Sequence, residues 1–534
     1  MSKIEFSAFS GEDMMKRFQR AMAFCRENPG TELVIEPGVY EITSDLAREA
    51  QEHVMSGDWG RNPQRIMFSP SYKFTRGLDF AGQRGITISA DGVTLLVDGF
   101  MEPVSVRGCS DIEIRGLTID HKRKPFSEGK VRILSKILAG EEAGKTNAVI
   151  RMNEDCPVKR ETPLTLRYLF IDEETGRILP CSIDHYSVMD ARSVNVILRG
   201  EITDGAIFST IHTYHSRPAI LIENAENIRL RDVTIHSQPG MGIVGNRSEN
   251  ITLTGLRVVP APGWHWSTNT DATHFTSIKG TLRFENCECE GQGDDFTNVH
   301  GYYQAVVKKE SPTVAFLREK TPDGTHAQTL DYPDPGNQME LTDYKTLAVT
   351  DVYTVVKSEP DPAQRMCRVE FDRDLPKDLD GKMLADVTRL PRLEVIGCRA
   401  SNHFARSVLI KTRDALIEGN TFRGVQGPAI VAAAEAHWYE GVCPANIVIR
   451  GNKIENCGWA WGEAAGIVIK ADADEPSGQS IYGITIEGNE IDAPSADHAI
   501  YCRNVRGLRI SGNKTNTAGA PVVIENCADA ESDA

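Results

Sequence analysis

Apolar positions in this chain recur in short alternating runs, not at helical spacing. SDIEIRGLTID (110–120), ENIRLRDVTIH (226–236), ENITLTGLRVV (249–259), DALIEGNTF (414–422), ANIVIRGNKIENC (445–457), YGITIEGNEID (482–492) and RGLRISGNKT (506–515) share one plan: an alternating run, a Gly, Asn or Asp, and a second run. Alternation with period two predicts strands with one buried face. Gly-Asn pairs stand at 419–420, 451–452, 488–489 and 512–513. Both residue types accept a left-handed backbone, so each pair predicts a tight corner between strands. The step from Asn227 to Asn250 is 23 residues and that from Gly483 to Gly507 is 24. Units this short bury an apolar face only by stacking on copies of themselves, which predicts a solenoid.

No helical pattern separates these strands, which excludes a doubly wound sheet and a TIM barrel. The expected fold is all-β: a right-handed parallel β-helix, with corner asparagines positioned to bond along the stack. Residues 10–28 carry apolar positions at helical spacing, with Ser10 and Asp13 as start signals, and would cap the open end of the core. Two segments fall out of period and read as inserted β-barrel or β-sandwich modules. The expected division is 1–120 for the cap and first coils, 121–217 for one inserted module, 218–301 for further coils, 302–391 for the second module, 392–528 for the last coils, and 529–534 for a frayed polar tail.

Composition narrows the function without naming it. The chain has 534 residues, 40% hydrophobic and 25% charged, with net charge −16 spread along its length. Nucleic acid and anionic membrane surfaces recruit clustered Lys and Arg, so neither is an expected partner. No apolar run is long enough to span a bilayer. The first residues show no apolar signal core, so the text as written predicts a cytoplasmic protein, or a periplasmic or secreted one if a signal peptide has been removed. Twelve cysteines include no CxxC pair. The repeated Asn286-Cys287, Asn456-Cys457 and Asn526-Cys527 predict buried, reduced thiols.

The chemistry concentrates in GQGDDFTNVHG (291–301) and STNTDATHF (267–275). Asp271 precedes Asp294 by 23 residues, one coil, so the two should stack on one face about 4.8 Å apart, with Asp295 beside them. Three converging carboxylates repel, and repulsion raises at least one proton affinity. A protonated acid beside ionised partners is what hydrolysis of a glycosidic bond requires. Three carboxylates also suit Ca²⁺, as in a β-helix lyase or epimerase. They could equally bind sugar hydroxyls in a non-catalytic solenoid, and an Asp-Asp pair alone is a common solvated turn. His300 is placed to orient Asp294 or meet a hydroxyl. Glu435 and Trp438 follow a small-residue run that leaves room for a ligand. Trp438, Trp264 and Trp266 are candidates to stack on a sugar face; Trp459 and Trp461 read as core or rim.

The order Asn269-Thr-Asp271, Gly293-Asp-Asp295, Val299-His-Gly301 resembles the NTD, DD and GHG signature of polygalacturonase-type β-helix glycosidases. With the VIEPGVYEI start, RKPFSEGKV (123–131) and both inserted modules in order, the chain resembles glycoside hydrolase family 110, exo-α-galactosidases of the blood-group-B type. The resemblance implies an inverting α-galactosidase acting on oligosaccharides or glycans with terminal, α-1,3-linked galactose, with no metal and no organic cofactor. It further implies Asp294 as general acid, Asp271 and Asp295 as the groups that hold and deprotonate water, and Asn269 among the sugar-binding residues. Polygalacturonases use Arg-Ile-Lys to hold a uronate; here the comparable place reads Leu409-Ile-Lys-Thr-Arg413. Lys411 and Arg413 are the candidates there, and the missing first Arg fits neutral galactose. The long solenoid flanks leave a homodimer open.

Overall fold

A computed structural model describes residues 2–319, 331–460, 464–476 and 480–533. Its strands form a right-handed parallel β-helix. Coils are built by stacking like on like. The register sets Ile112, Ile228, Ile251 and Leu282 in one interior column, continued by Leu393, Ala415, Ile447, Ile484 and Leu508. All are buried. Such burial contributes roughly 1.5–3 kcal/mol for each large aliphatic side chain.

The corners follow the Gly-Asn pairs. Gly451 takes φ 61° and Gly488 also 61°. The asparagines after them form a ladder: Asn420 Nδ2 donates to Asn452 Oδ1, Asn452 Nδ2 to Asn489 Oδ1, and Asn489 Nδ2 to Asn513 Oδ1, each at 2.9 Å. At a second corner, Asn250 donates to Asn227 and Asn227 to Asp111. The twelve cysteines are all free thiols; Cys287 and Cys457 are buried, whereas Cys527 is partly exposed at the last coil.

Helix Met14–Glu27 covers the first coil, with Phe18, Ala21, Met22 and Cys25 in the solenoid core. Asp13, not Ser10, is its cap and accepts from Lys16 N at 2.8 Å. A second helix, Asp45–Ser56, was not apparent from the strand pattern. Its signals are local: Ser44 accepts from Ala47 N, and Gly57 closes it at φ 85°. The expected frayed tail is instead paired, since strand Ala528–Ser532 adds to Val505–Ser511.

Strands between Phe126 and Ile211 form a six-stranded antiparallel sheet over its own core of Ile150, Phe170, Val196 and Phe208. The second inserted unit is a closed six-stranded antiparallel barrel around Leu317, Met339, Tyr353 and Val369. Strand Thr297–Ser311 belongs to both architectures. Its first residues pair in parallel with Thr273–Thr276 and Val408–Ile410, and its later ones enter the barrel. The barrel thus continues, on a shared strand, directly from the coil that carries the acidic pair.

Candidate active site

Strand Thr273–Thr276 pairs with Thr297–Ser311 at a step of 24 residues: Thr273 faces Thr297 and Thr276 faces His300. The partner of Asp271 is therefore Asp295, not Asp294 as a 23-residue step predicts. The ladder confirms this upstream of the strands, where Ala272 N donates to Asp295 O and Phe296 N to Arg406 O. Asp271, Asp295 and Arg406 thus stand in one column on three successive coils. Asp294, one residue earlier, reaches the same cavity from the turn. Gly293 permits that turn, because a Cβ there would lie 2.1 Å from Asn269 O.

The three aspartates line a cavity of about 360 Å³ with Tyr214, His274, Asn298, Glu435 and Glu440 among the other walls. Each carboxylate has a different partner. Arg167, from the segment ahead of strand Tyr168–Ile171 in the inserted sheet, donates Nη1 to Asp294 Oδ2 at 2.8 Å. Arg406 grips Asp295 three times: its backbone N and Nε donate to Oδ1 at 2.9 and 3.0 Å, and Nη2 donates to Oδ2 at 2.9 Å. Asp271 Oδ2 lies 2.7 Å from His274 Nδ1.

These surroundings separate the proton affinities. Burial drives Asp295 up to about 7, with Arg406 opposing and the charges of Asp294 and Asp271 adding to the rise. Asp271 is raised by burial, which His274 only partly offsets. Burial also acts on Asp294, but Arg167 and Arg406 outweigh it and hold that carboxyl below its ordinary value. Its side chain is still 26% exposed, which weakens the burial component further.

A second set of charges backs the first. Lys411, wholly buried, places Nζ 2.7 Å from Glu435 and 2.6 Å from Glu440, and also donates to Asn298 Oδ1. Arg406 Nη1 reaches Glu435 Oε1 at 3.1 Å. Glu440 resists ionisation by burial, but Lys411, 2.6 Å away, holds it well below the ordinary value. Burial pushes His300 itself down to about 3, so it is neutral and Lys411 is the effective cation.

The sequence candidates separate accordingly. Asp271, Asp294, Asp295, Glu435 and Trp438 line the cavity, with Trp438 about half exposed at its mouth. Lys411 lies behind the cavity wall and acts through Glu435 and Glu440. His300 bonds His274 and the Gly301 carbonyl, not Asp294. Asn269 is buried and donates to Thr213 O. Arg413 is elsewhere, paired with Glu340 of the barrel at 2.9 and 2.8 Å. Trp264 packs edge-on against Phe126, and Trp266 is fully buried with Nε1 bonded to Thr268 O. Neither stacks in the cavity. Trp459 is partly buried against the cluster around Trp266, and Trp461 lies outside the described residues. Of the small residues after Ile430, Ala432 and Ala434 face the solenoid core, whereas Ala433 shares the face of Glu435 and packs with Leu409 and Val431.

Sequence reasoning missed Arg167, His274, Asn298, Arg406 and Glu440. His274 alone had a signal, three residues after Asp271. A larger depression of about 680 Å³, beside Trp459, is lined by Glu201, which pairs with Arg177, and Glu290, which accepts from Asn402.

Fold and site together define a parallel β-helix protein with a buried acid/base pocket on one sheet, walled in part by an inserted module. No family model matches the chain. It is similar to a curated alpha-1,3-galactosidase A of Shewanella woodyi, 26% identical across 88% of this chain and 79% of that protein. An alpha-1,3-galactosidase A of Bacteroides fragilis is 24% identical across 95% and 85%, and an alpha-1,3-galactosidase B of Bacteroides thetaiotaomicron is 23% identical across 93% and 82%. Among solved structures, a family 28 exopolygalacturonase of Yersinia enterocolitica aligns with TM-score 0.38 at 12% identity, covering 98% of this chain and 78% of that one.

Proposed function

We propose that this protein is a glycoside hydrolase that releases terminal α-linked galactose, with α-1,3 linkage, by an inverting and metal-independent acid/base mechanism. The observation that carries the reading is three aspartates in one cavity with unequal partners: a histidine on Asp271, Arg167 on Asp294 and Arg406 on Asp295. Unequal partners separate an acid from a base within one small site. The names of the relatives support galactose and the α-1,3 linkage.

The resemblance implied a proton on Asp294. Arg167 and Arg406 argue against that assignment, since together they outweigh burial and hold Asp294 ionised, with no proton to donate. In this proposal Asp271 is the acid that protonates the leaving oxygen. Asp295, its oxygens aligned by three donors from Arg406, is the base that takes a proton from water. Asp294 remains ionised and stabilises positive charge at the sugar in the transition state. A Ca²⁺-dependent lyase fits less well, because Asp294, Asp295, Glu435 and Glu440 are already engaged by Arg167, Arg406 and Lys411.

The test is a release assay on a panel of terminal galactosides, with the first-formed anomer followed by NMR. Release of β-galactose from an α-1,3-galactoside is expected, together with loss of most activity in Asp271→Asn and Asp294→Asn that remain folded. Retained configuration, an unsaturated product, or sugar binding without turnover would each defeat the reading.

A further inference from the structure

Behind Asp271 runs a chain of imidazoles whose hydrogens can be placed from their partners alone. His300 Nδ1 lies 2.8 Å from the Gly301 carbonyl oxygen. A carbonyl only accepts, so Nδ1 carries a hydrogen. His300 is 2% exposed, and burial outweighs the pull of Glu440, 3.8 Å from Nε2, so the ring is neutral and its Nε2 bare. That nitrogen lies 2.9 Å from His274 Nε2, and an N···N contact this short needs one hydrogen, which His274 must supply. His274 Nδ1 then faces Asp271 Oδ2 at 2.7 Å with one proton between them.

We propose that His274, its tautomer fixed by His300, is a positioning residue that shares a single proton with Asp271 and makes the pair one titrating unit. The inference rests on the proposed hydrolase reading and deepens it. With the proton on Asp271 the pair is neutral; with it on His274 the pair is an imidazolium and a carboxylate. In either form the hydrogen bond persists, so Asp271 is held in one orientation toward the cavity until it acts.

The step balances. Asp271 transfers its proton to the glycosidic oxygen, which keeps the electron pair of the breaking C1–O bond. Water supplies the pair for the new C1–O bond and loses a proton to Asp295. Asp271, now a carboxylate facing the bare Nδ1 of His274, takes a proton back from solvent, and the hydrogen bond between them re-forms. The groups that face the pair are Asp294, Asp295 and Glu440, which favour keeping the proton, and Arg167 and Lys411, which oppose it. His300 contributes no charge. It serves as an acceptor that denies His274 the other tautomer.

Two measurements test this. In His274→Gln the amide can still donate to Asp271 but cannot take its proton. The expected result is kcat lower by about 10²-fold with KM nearly unchanged, and an alkaline limb of the kcat/KM profile displaced to lower pH, because the shared proton has lost one of its two sites and the amide donates to the ionised carboxylate. An unchanged profile, or a loss confined to KM, overturns the proposal. The second measurement uses ¹⁵N-histidine-labelled wild-type protein, with ring signals assigned through His274→Gln and His300→Gln. A hydrogen on Nδ1 of His300 and one on Nε2 of His274 is expected; a hydrogen on Nε2 of His300 refutes the relay. The ring signals need no substrate, so the relay can fail while hydrolysis stands. Equally, it can stand if no galactoside is cleaved.

Discussion

Arg167 Nη1 and Asp294 Oδ2 meet at 2.8 Å although one residue belongs to the inserted antiparallel sheet and the other to a solenoid turn. The guanidinium lies near the rings of Tyr214 and Phe404, at 5.2 and 5.3 Å from their centroids. The module is therefore part of the site, and the charge state of Asp294 depends on how it docks. Replacing Arg167 with Met keeps much of the stem and removes the charge. The expected loss in kcat/KM on an α-galactoside is about 10²-fold. Asp294 should also titrate at higher pH, so activity should fall away sooner on acidification. A pH–rate profile of Arg167→Met against wild type measures both.

Asp295 is the aspartate pushed to about 7. As the base it must be ionised, so kcat/KM should fall tenfold per pH unit below about 7. In Asp295→Asn that limb should vanish along with most activity. Stability runs the other way. A carboxyl whose folded value is raised stabilises the fold most below its unfolded value and loses that contribution as pH rises through about 7. Asp294 and Glu440, held low, contribute above the ordinary carboxyl range and lose it on acidification. Denaturation of wild type and Asp295→Asn across pH 5–8 should therefore show the variant gaining relative stability as pH rises.

Lys411 is wholly buried between Glu435 and Glu440. In Lys411→Met two adjacent carboxylates lose their common cation, although Arg406 still reaches Glu435. Breaking a buried pair from one side costs about 3–5 kcal/mol. Chemical denaturation should show a loss of that order, and the variant should tolerate low pH better relative to its own stability at pH 7.

The asparagine ladder predicts a purely structural effect. Asn452→Ala removes the acceptor for the backbone N and Nδ2 of buried Asn420 and the donor to Asn489. Leaving buried donors unmet costs about 1–3 kcal/mol each. The midpoint of denaturation should drop accordingly, while KM for galactoside stays unchanged because the ladder lies away from the cavity.

The coils were legible because stacking repeats the same local demand: alternating Ile and Leu inside, Gly-Asn at the corner. The exact step was less legible. Strand Lys279–Glu285 carries one extra residue against Glu249–Thr254, since Glu249 faces Lys279 but Ile251 faces Leu282, and no periodicity announces such a bulge. A one-residue difference moved the partner of Asp271 from Asp294 to Asp295, so the column ends on Arg406. Helix Asp45–Ser56 was hidden in the same way, written in its Ser44 and Gly57 caps and absent from the strand pattern.

By itself the sequence determined a stacked β-solenoid, its capping helix, its two interruptions and the neighbourhood of three aspartates, because each of these is a local pattern repeated or broken along the chain. Only the tertiary structure decided which group partners each aspartate. Arg167 comes from 127 residues upstream of Asp294 and Arg406 from 111 residues beyond Asp295. Lys411 and His300 act from behind the visible wall, and His274 stands in it. Proton affinity in a buried site is set by the nearest charges in space, and in a solenoid with inserted modules these lie far apart in sequence.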